Sequence, residues 1–113
     1  MAQVKQPQDR QPKDEKPKVV ETDAGWTVTH RGVVLEIPRE ALNDFELLDD
    51  LAEVQKDPKT GSPRVPSILR RLAGQDGFRA VTTALRDPVT GRVPVQPALD
   101  FVGEVFVALN PNG

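Results

Sequence analysis

The run from Asn43 to Lys56 constrains this chain more than any other segment. Wound as a helix, Phe45, Leu47, Leu48, Leu51, Ala52 and Val54 cover about 180° of its surface, and Glu46, Asp49, Asp50 and Glu53 cluster within about 100° on the other side. A surface helix resting on one neighbour needs an apolar stripe of only about 100°. The excess leaves two arrangements open. Either the helix packs against two neighbours of its own chain, or one apolar edge is kept for a partner. Asn43 or Asp44 can cap it, with Glu46 as the acid of the first turn.

The length of 113 residues argues for one domain. Residues 1–18 hold four Gln, three Pro and eight charged side chains, and only Met1, Ala2 and Val4 are apolar. Such a segment cannot bury enough surface to offset its ordering entropy, so a disordered charged arm is expected over 1–18. The domain is expected over 19–110, with 111–113 as a tail. About 95 residues bury roughly 60 to 70% of their unfolded surface, enough for one modest core.

There is no Cys, which excludes disulfides and thiolate metal sites and fits a reducing cytosol. No run of 18 apolar residues offers a membrane span, and the N-terminus lacks the apolar centre of a signal peptide. A soluble protein of the cytoplasm, with no membrane partner, is the expectation. Charge is unevenly spread. Glu36 to Asp57 holds eight acids and two bases, whereas Lys59 to Arg92 holds seven bases and two acids. These blocks can face each other inside one fold, or the acidic face can steer a basic partner.

Val19 to Ile37 has strand character. Gly25–His30 and Gly32–Ile37 flank a tight turn at Arg31-Gly32, where Gly supplies positive φ, so a short hairpin within 19–38 is expected, anchored by Trp26. Two strands alone are marginal in water, so the hairpin must lie on helices or be completed by a partner. Helices are expected at about 43–56, 66–73, 77–86 and 97–109. Gly74 reads as the stop of the second, Asp76 as the cap of the third, and Pro97 as the first residue of the fourth. In the last helix Phe101, Val102, Val105, Phe106 and Leu109 form one buried face, and Asp100, Glu104 and Val107 lie opposite. The fold class is therefore mainly α: a small helical domain of about four helices, preceded by a short β-hairpin and a disordered N-terminal arm.

Catalytic chemistry is not signalled. His30, the only histidine, lies beside the turn with no second ligand and reads as a solvated turn residue. Asp49, Asp50 and Glu53 lack the spaced oxygens of a calcium loop and read as a solvated helix face. Ser62 and Ser67 sit in no nucleophile motif, and Gly74-Gln-Asp-Gly77 lacks the Lys-Ser/Thr of a phosphate loop. No enzyme activity, metal or cofactor is expected. Ile68 to Arg86 reads as helix–turn–helix with Arg70, Arg71, Arg79 and Arg86, the footprint of a DNA-binding regulator. Against it, an acidic block adjoins the segment and Asp76 stands where a phosphate would approach, so no nucleic-acid partner is expected.

The run Asp44-Phe-Glu-Leu-Leu-Asp-Asp-Leu-Ala-Glu-Val-Gln, then Val65-Pro-Ser-Ile-Leu-Arg-Arg-Leu-Ala-Gly, then Gly91-Arg-Val-Pro-Val before a final amphipathic helix, resembles the tail assembly chaperones of long-tailed phages that infect actinobacteria. The Trp26-to-Pro38 element and the charged arm are similar too, and the resemblance covers most of residues 26–110. It implies a small, largely helical protein that binds the tape measure protein, keeps it soluble and helps recruit tail tube subunits. It further implies a place in the host cell cytoplasm during assembly and absence from the finished virion. In that group a ribosomal frameshift commonly yields a second, longer product, and the ending Asn110-Pro-Asn-Gly is compatible with the shorter one.

The expected function is thus non-enzymatic: a phage tail assembly chaperone. The candidate partner-binding surface is a groove between the apolar edges of the first and last helices. Glu46, Asp49, Asp50 and Glu53 form its rim, Leu47, Leu51 and Val54 anchor it from the first helix, and Val105 and Val107 from the last. The alternative for each anchor except Val107 is a place in the core. Partners are the tape measure protein, the tail tube protein, and a second copy of the chain. The rival functions are an adaptor retained in the virion and a small helix–turn–helix regulator.

Overall fold

A computed structural model describes residues 16–109. Three strands come first: β1 (Lys18–Glu21), β2 (Gly25–His30) and β3 (Val33–Pro38). They form one antiparallel sheet in the order β1-β2-β3. The expected hairpin is present as β2 and β3, and β1 is a third strand that the sequence reading did not separate. Lys18, assigned there to the arm, belongs to the sheet. The rest of the arm and the tail 111–113 lie outside the described residues, apart from Lys16 and Pro17.

Side-chain alternation decides which face of the sheet is covered. Trp26, Val28 and His30 lie on the same face as their partners Ile37, Leu35 and Val33. Val28, His30, Val33, Leu35 and Ile37 are buried, whereas Thr29, Val34 and Glu36 are exposed. The β2–β3 turn has positive φ at both Arg31 (50°) and Gly32 (79°). That pair of angles matches the right-handed twist of the flanking strands, which keeps His30 and Val33 in register to the end of the ladder.

A short 3-10 turn, Arg39–Leu42, leads to α1 (Phe45–Lys56). Asp44 is the cap. Its carboxylate accepts from the backbone N–H of Glu46 and Leu47 at 2.9 and 3.0 Å, satisfying two donors that helix geometry leaves free. A one-turn helix, Pro58–Gly61, and a 3-10 turn, Ser62–Arg64, follow. Gly61 touches the backbone of α1. A Cβ at this position would lie 2.5 Å from Val54 Cα, so only glycine allows this approach.

Helix α2 spans Val65–Leu85 and α3 spans Val95–Leu109. The described residues therefore form three main helices, where about four were expected. The expected helices 66–73 and 77–86 are the two arms of α2, bent at Gly74 (φ 73°, ψ −179°). Gly74 leaves the helical conformation as a stop residue would. The chain re-enters helix at once, without a loop. Asp76 accordingly lies inside α2 and starts no separate helix.

Helix α2 is the central element, packing against β3, α1 and α3. The core joins Val28, Leu35 and Ile37 of the sheet with Leu47 of α1, Ile68, Leu72 and Val81 of α2, and Phe101 and Val105 of α3. Each such side chain contributes about 1.5–3 kcal/mol when removed from water. On α3 the expected inward residues Phe101, Val102 and Val105 are buried, Phe106 and Leu109 are half-buried, and Val107 is 71% exposed.

Candidate functional site

The wide apolar arc of α1 divides into two halves. Leu47 is buried, and Leu51 and Val54 are half-buried against the core. Phe45 (87% exposed) and Leu48 (58%) turn outward, and Ala52 is exposed with them. Spacings of three and seven residues place these three on one line of the helix. Helix α1 packs against two neighbours of its own chain, the one-turn helix Pro58–Gly61 and α2, and one apolar edge still has no cover within the described residues. A shallow depression on this edge is lined by Phe45, Glu46, Leu48 and Asp49.

The carboxylates are not one solvated face. Asp50 is buried between α1 and the start of α2. Its Oδ1 accepts from Arg64 Nη1 at 2.7 Å and its Oδ2 from Ser67 Oγ at 2.8 Å, with Arg71 Nε 3.8 Å away. Arg64 also reaches Asp49 (3.1 Å), and Arg71 reaches Glu46 (3.0 Å) and Asp44 (3.6 Å). Burial alone would raise the Asp50 carboxyl. Hydrogen bonds from Arg64 and Ser67, with the charges of Arg64 and Arg71, outweigh it and hold the group below the ordinary carboxylate value. The acidic and basic blocks of the sequence thus meet inside the fold, and Asp50 is a structural residue here, not part of a rim. Glu46, Asp49 and Glu53 remain at the surface or half-exposed.

The expected groove between the first and last helices changes accordingly. Helices α1 and α3 each pack on α2. Leu47 and Val105 are core residues, each 1% exposed, and cannot anchor a partner. Val107 is accessible, as are parts of Leu51 and Val54. The most exposed apolar residues of α1, Phe45 and Leu48, were assigned no role as anchors. Their signal was the width of the arc itself.

A second apolar feature was not foreseen. The bend at Gly74 and the entry into α3 enclose a cleft of about 520 Å³. Val65 and Leu69 line it from one arm of α2, Phe78 and Thr82 from the other, and Val95 and Ala98 from α3. Arg86 stands at its edge, donating to the Gly91 carbonyl at 2.9 Å. Arg70 bridges the bend, with its guanidinium 3.9 Å from the Phe78 ring centre.

His30 is not a solvated turn residue. It is buried, its Nε2 lies 2.6 Å from Glu104 Oε1, and its ring packs on Phe101 with centres 5.2 Å apart. Arg31 donates to the other Glu104 oxygen at 3.1 Å. Glu104 therefore ties α3 to the β2–β3 turn, where the sequence reading placed it on the outer face. His30 Nδ1 is buried with no hydrogen-bond partner among the described residues. The missed signal was parity: His30 follows Trp26 and Val28 at intervals of two.

The arginines of the helix–turn–helix reading are largely committed. Arg70 stacks on Phe78, Arg71 joins the α1 acids, and Arg86 holds the 87–92 turn. The bent helix has no turn between its arms. Among the described residues no group of three or more His, Asp or Glu could hold a metal ion, and no helix is long and apolar enough to cross a membrane. No family model, curated protein or solved structure matches the chain.

Proposed function

We propose that this chain is a non-enzymatic binding protein, a tail assembly chaperone that covers apolar helical segments of the tape measure protein of a long-tailed phage. The observation that carries the reading is the bare edge of α1, Phe45-Leu48-Ala52, beside the surface acids Glu46 and Asp49. The sequence resemblance gives the partner its identity. Burying Phe45 and Leu48 contributes about 1.5–3 kcal/mol each before the costs of association. One such contact is weak. A long partner offering many similar segments binds many copies, and each bound copy keeps one segment out of aggregates by mass action. Glu46 and Asp49 are already paired with Arg71 and Arg64, so it is Glu53 that favours segments flanked by Lys or Arg and disfavours acidic ones. In this reading the protein acts in the host cytoplasm and is missing from purified virions.

Co-expression with the tape measure protein tests the reading. Phe45→Ser with Leu48→Ser is expected to abolish co-purification and leave the tape measure protein insoluble, while the chaperone itself stays folded. Full retention of soluble complex would overturn the proposal. Reversal of Asp50 is a poor probe of the rim, because it attacks the α1–α2 junction. Glu53→Lys reverses a partly exposed acid with no ion-pair partner among the described residues and serves instead.

A further inference from the structure

The sheet has two edge strands, and they are not alike. Strand β1 has four residues and carries Lys18 and Glu21, the short and charged form that resists further pairing. Strand β3 has six residues, of which only Glu36 is charged. The two-residue turn at Arg31-Gly32 makes His30 and Val33 a hydrogen-bonded pair, so the backbone groups of Val33, Leu35 and Ile37 face β2. The N–H and C=O of Val34 and Glu36 then point away from the sheet, and they have no hydrogen-bond partner among the described residues. Beside this edge lies an open hollow of about 480 Å³, between β3 and the second arm of α2. Val33 and Val34 line it from the strand, and Asp76, Arg79, Ala80 and Ala84 from the helix.

We infer that the β3 edge of one copy pairs antiparallel with the β3 edge of a second, about a two-fold axis beside Leu35. The register follows from which groups are free. With Leu35 at the axis, Val34 of each copy stands opposite Glu36 of the other, and the two residues exchange both backbone hydrogen bonds. Every outward N–H and C=O of Val34 and Glu36 is then satisfied. An axis at Glu36 would set two carboxylates directly opposite and put Pro38, which has no N–H, across from Val34. The hollow supplies a charge match. Asp76 and Arg79 line it, and neither has an ion-pair partner among the described residues. A patch with one charge of each sign is complementary to its own copy under two-fold symmetry, acid to base and base to acid, where a patch of single sign would repel itself. An unrelated extended peptide would use the strand groups alone; the unpaired acid and base on the helix wall favour a second copy. This interface shares no residue with the bare edge of α1 and stands or falls separately from the function proposed for that edge.

Sedimentation velocity on the purified chain, from micromolar to millimolar concentration, provides the test. Wild type is expected to pass from monomer to dimer and grow no further, because a two-fold contact closes on itself. Val34→Pro removes an N–H that faces solvent in the monomer, where an edge strand tolerates proline, and should weaken the dimer about tenfold or more. Arg79→Asp leaves only acids on the helix wall and should weaken it about tenfold, whereas Asp76→Arg combined with Arg79→Asp should restore it. Positions 34, 76 and 79 are exposed, so the circular dichroism spectrum and urea midpoint of each variant should match wild type. Amide exchange on wild type gives a reading that needs no variant. The N–H groups of Val34 and Glu36 should gain protection as concentration rises, and those of Val19 and Glu21 on the other edge should not. A wild type that stays monomeric at millimolar concentration overturns the inference. So does a Val34→Pro variant that associates like wild type, a charge swap that fails to restore the dimer, or association without protection at Val34 and Glu36.

Discussion

Asp50 and His30 are the two buried polar side chains among the described residues, and the chain holds them in opposite ways. Asp50 lies between two helices, and both its oxygens are engaged, one by Arg64 and the other by Ser67. His30 lies between the sheet and α3. One ring nitrogen meets Glu104, the other meets nothing, and the ring face rests on Phe101. The first junction is a saturated polar network whose members depend on one another. The second is an apolar contact with one polar tie. Removing a member should therefore be costly at the first and mild at the second, although both residues are equally hidden.

Asp50→Ala is the largest break. Removing one partner of a buried pair strands the others, and because Arg64 is two-fifths exposed to water the expected loss is about 2 kcal/mol, read as a lower urea midpoint. The same junction sets an acid dependence. The folded-state pKa of Asp50 is depressed, so its contribution is fully present at neutral pH. It is lost as pH falls from about 4, the unfolded value, through the lower folded value. Asp50→Asn should flatten that acid limb in pH-dependent unfolding, and a limb of unchanged slope would place the titrating group elsewhere.

His30→Ala comes next, at about 1–2 kcal/mol, mostly because the Phe101 ring no longer has a partner to pack against. His30→Phe should cost less than His30→Ala, because it restores the packing and leaves no buried nitrogen unpaired. Equal destabilisation by Phe and Ala would show that the Glu104 tie, which both variants remove, and not packing, holds the junction. Gly74→Ala should cost about 1–2 kcal/mol, since φ of 73° with ψ of −179° is a conformation essentially reserved for glycine even where space is open. Phe45→Ser with Leu48→Ser should leave the unfolding midpoint unchanged, because neither side chain belongs to the core.

Much of this was legible in the chain, and particular residues show where reading failed. Asp44, Pro38 and the Arg31-Gly32 turn carry local chemistry that works over a few residues, so the edges of β2, β3 and α1 followed from it. The over-wide arc of α1 was equally plain. Which half of that arc would be covered was not, because it depends on α2, folded against α1 through Arg64 and Arg71 from 14 and 21 residues beyond Asp50. Charge blocks indicate that acids and bases can meet, not which carboxylate is buried. His30 was misread because nearness to a turn was weighed above strand parity. The strand β1 was missed because four residues, half of them charged, give little periodicity. The helix count failed on Gly74, where one residue in the left-handed region looks the same in sequence whether the helix ends or only bends.

Gly74 also separates two properties that usually travel together, exposure and tolerance to change. It stands at the surface, and a side chain there would meet no atom within 4 Å. By packing alone it should accept almost any residue. Yet its backbone angles aim the two arms of α2, and with them Leu69 and Phe78 on either wall of the cleft. In a saturation library, position 74 should behave like a core site, accepting little beyond Gly, because φ of 73° with ψ of −179° is essentially reserved for it. Neighbouring exposed positions such as Gln75 and Arg79 should vary freely.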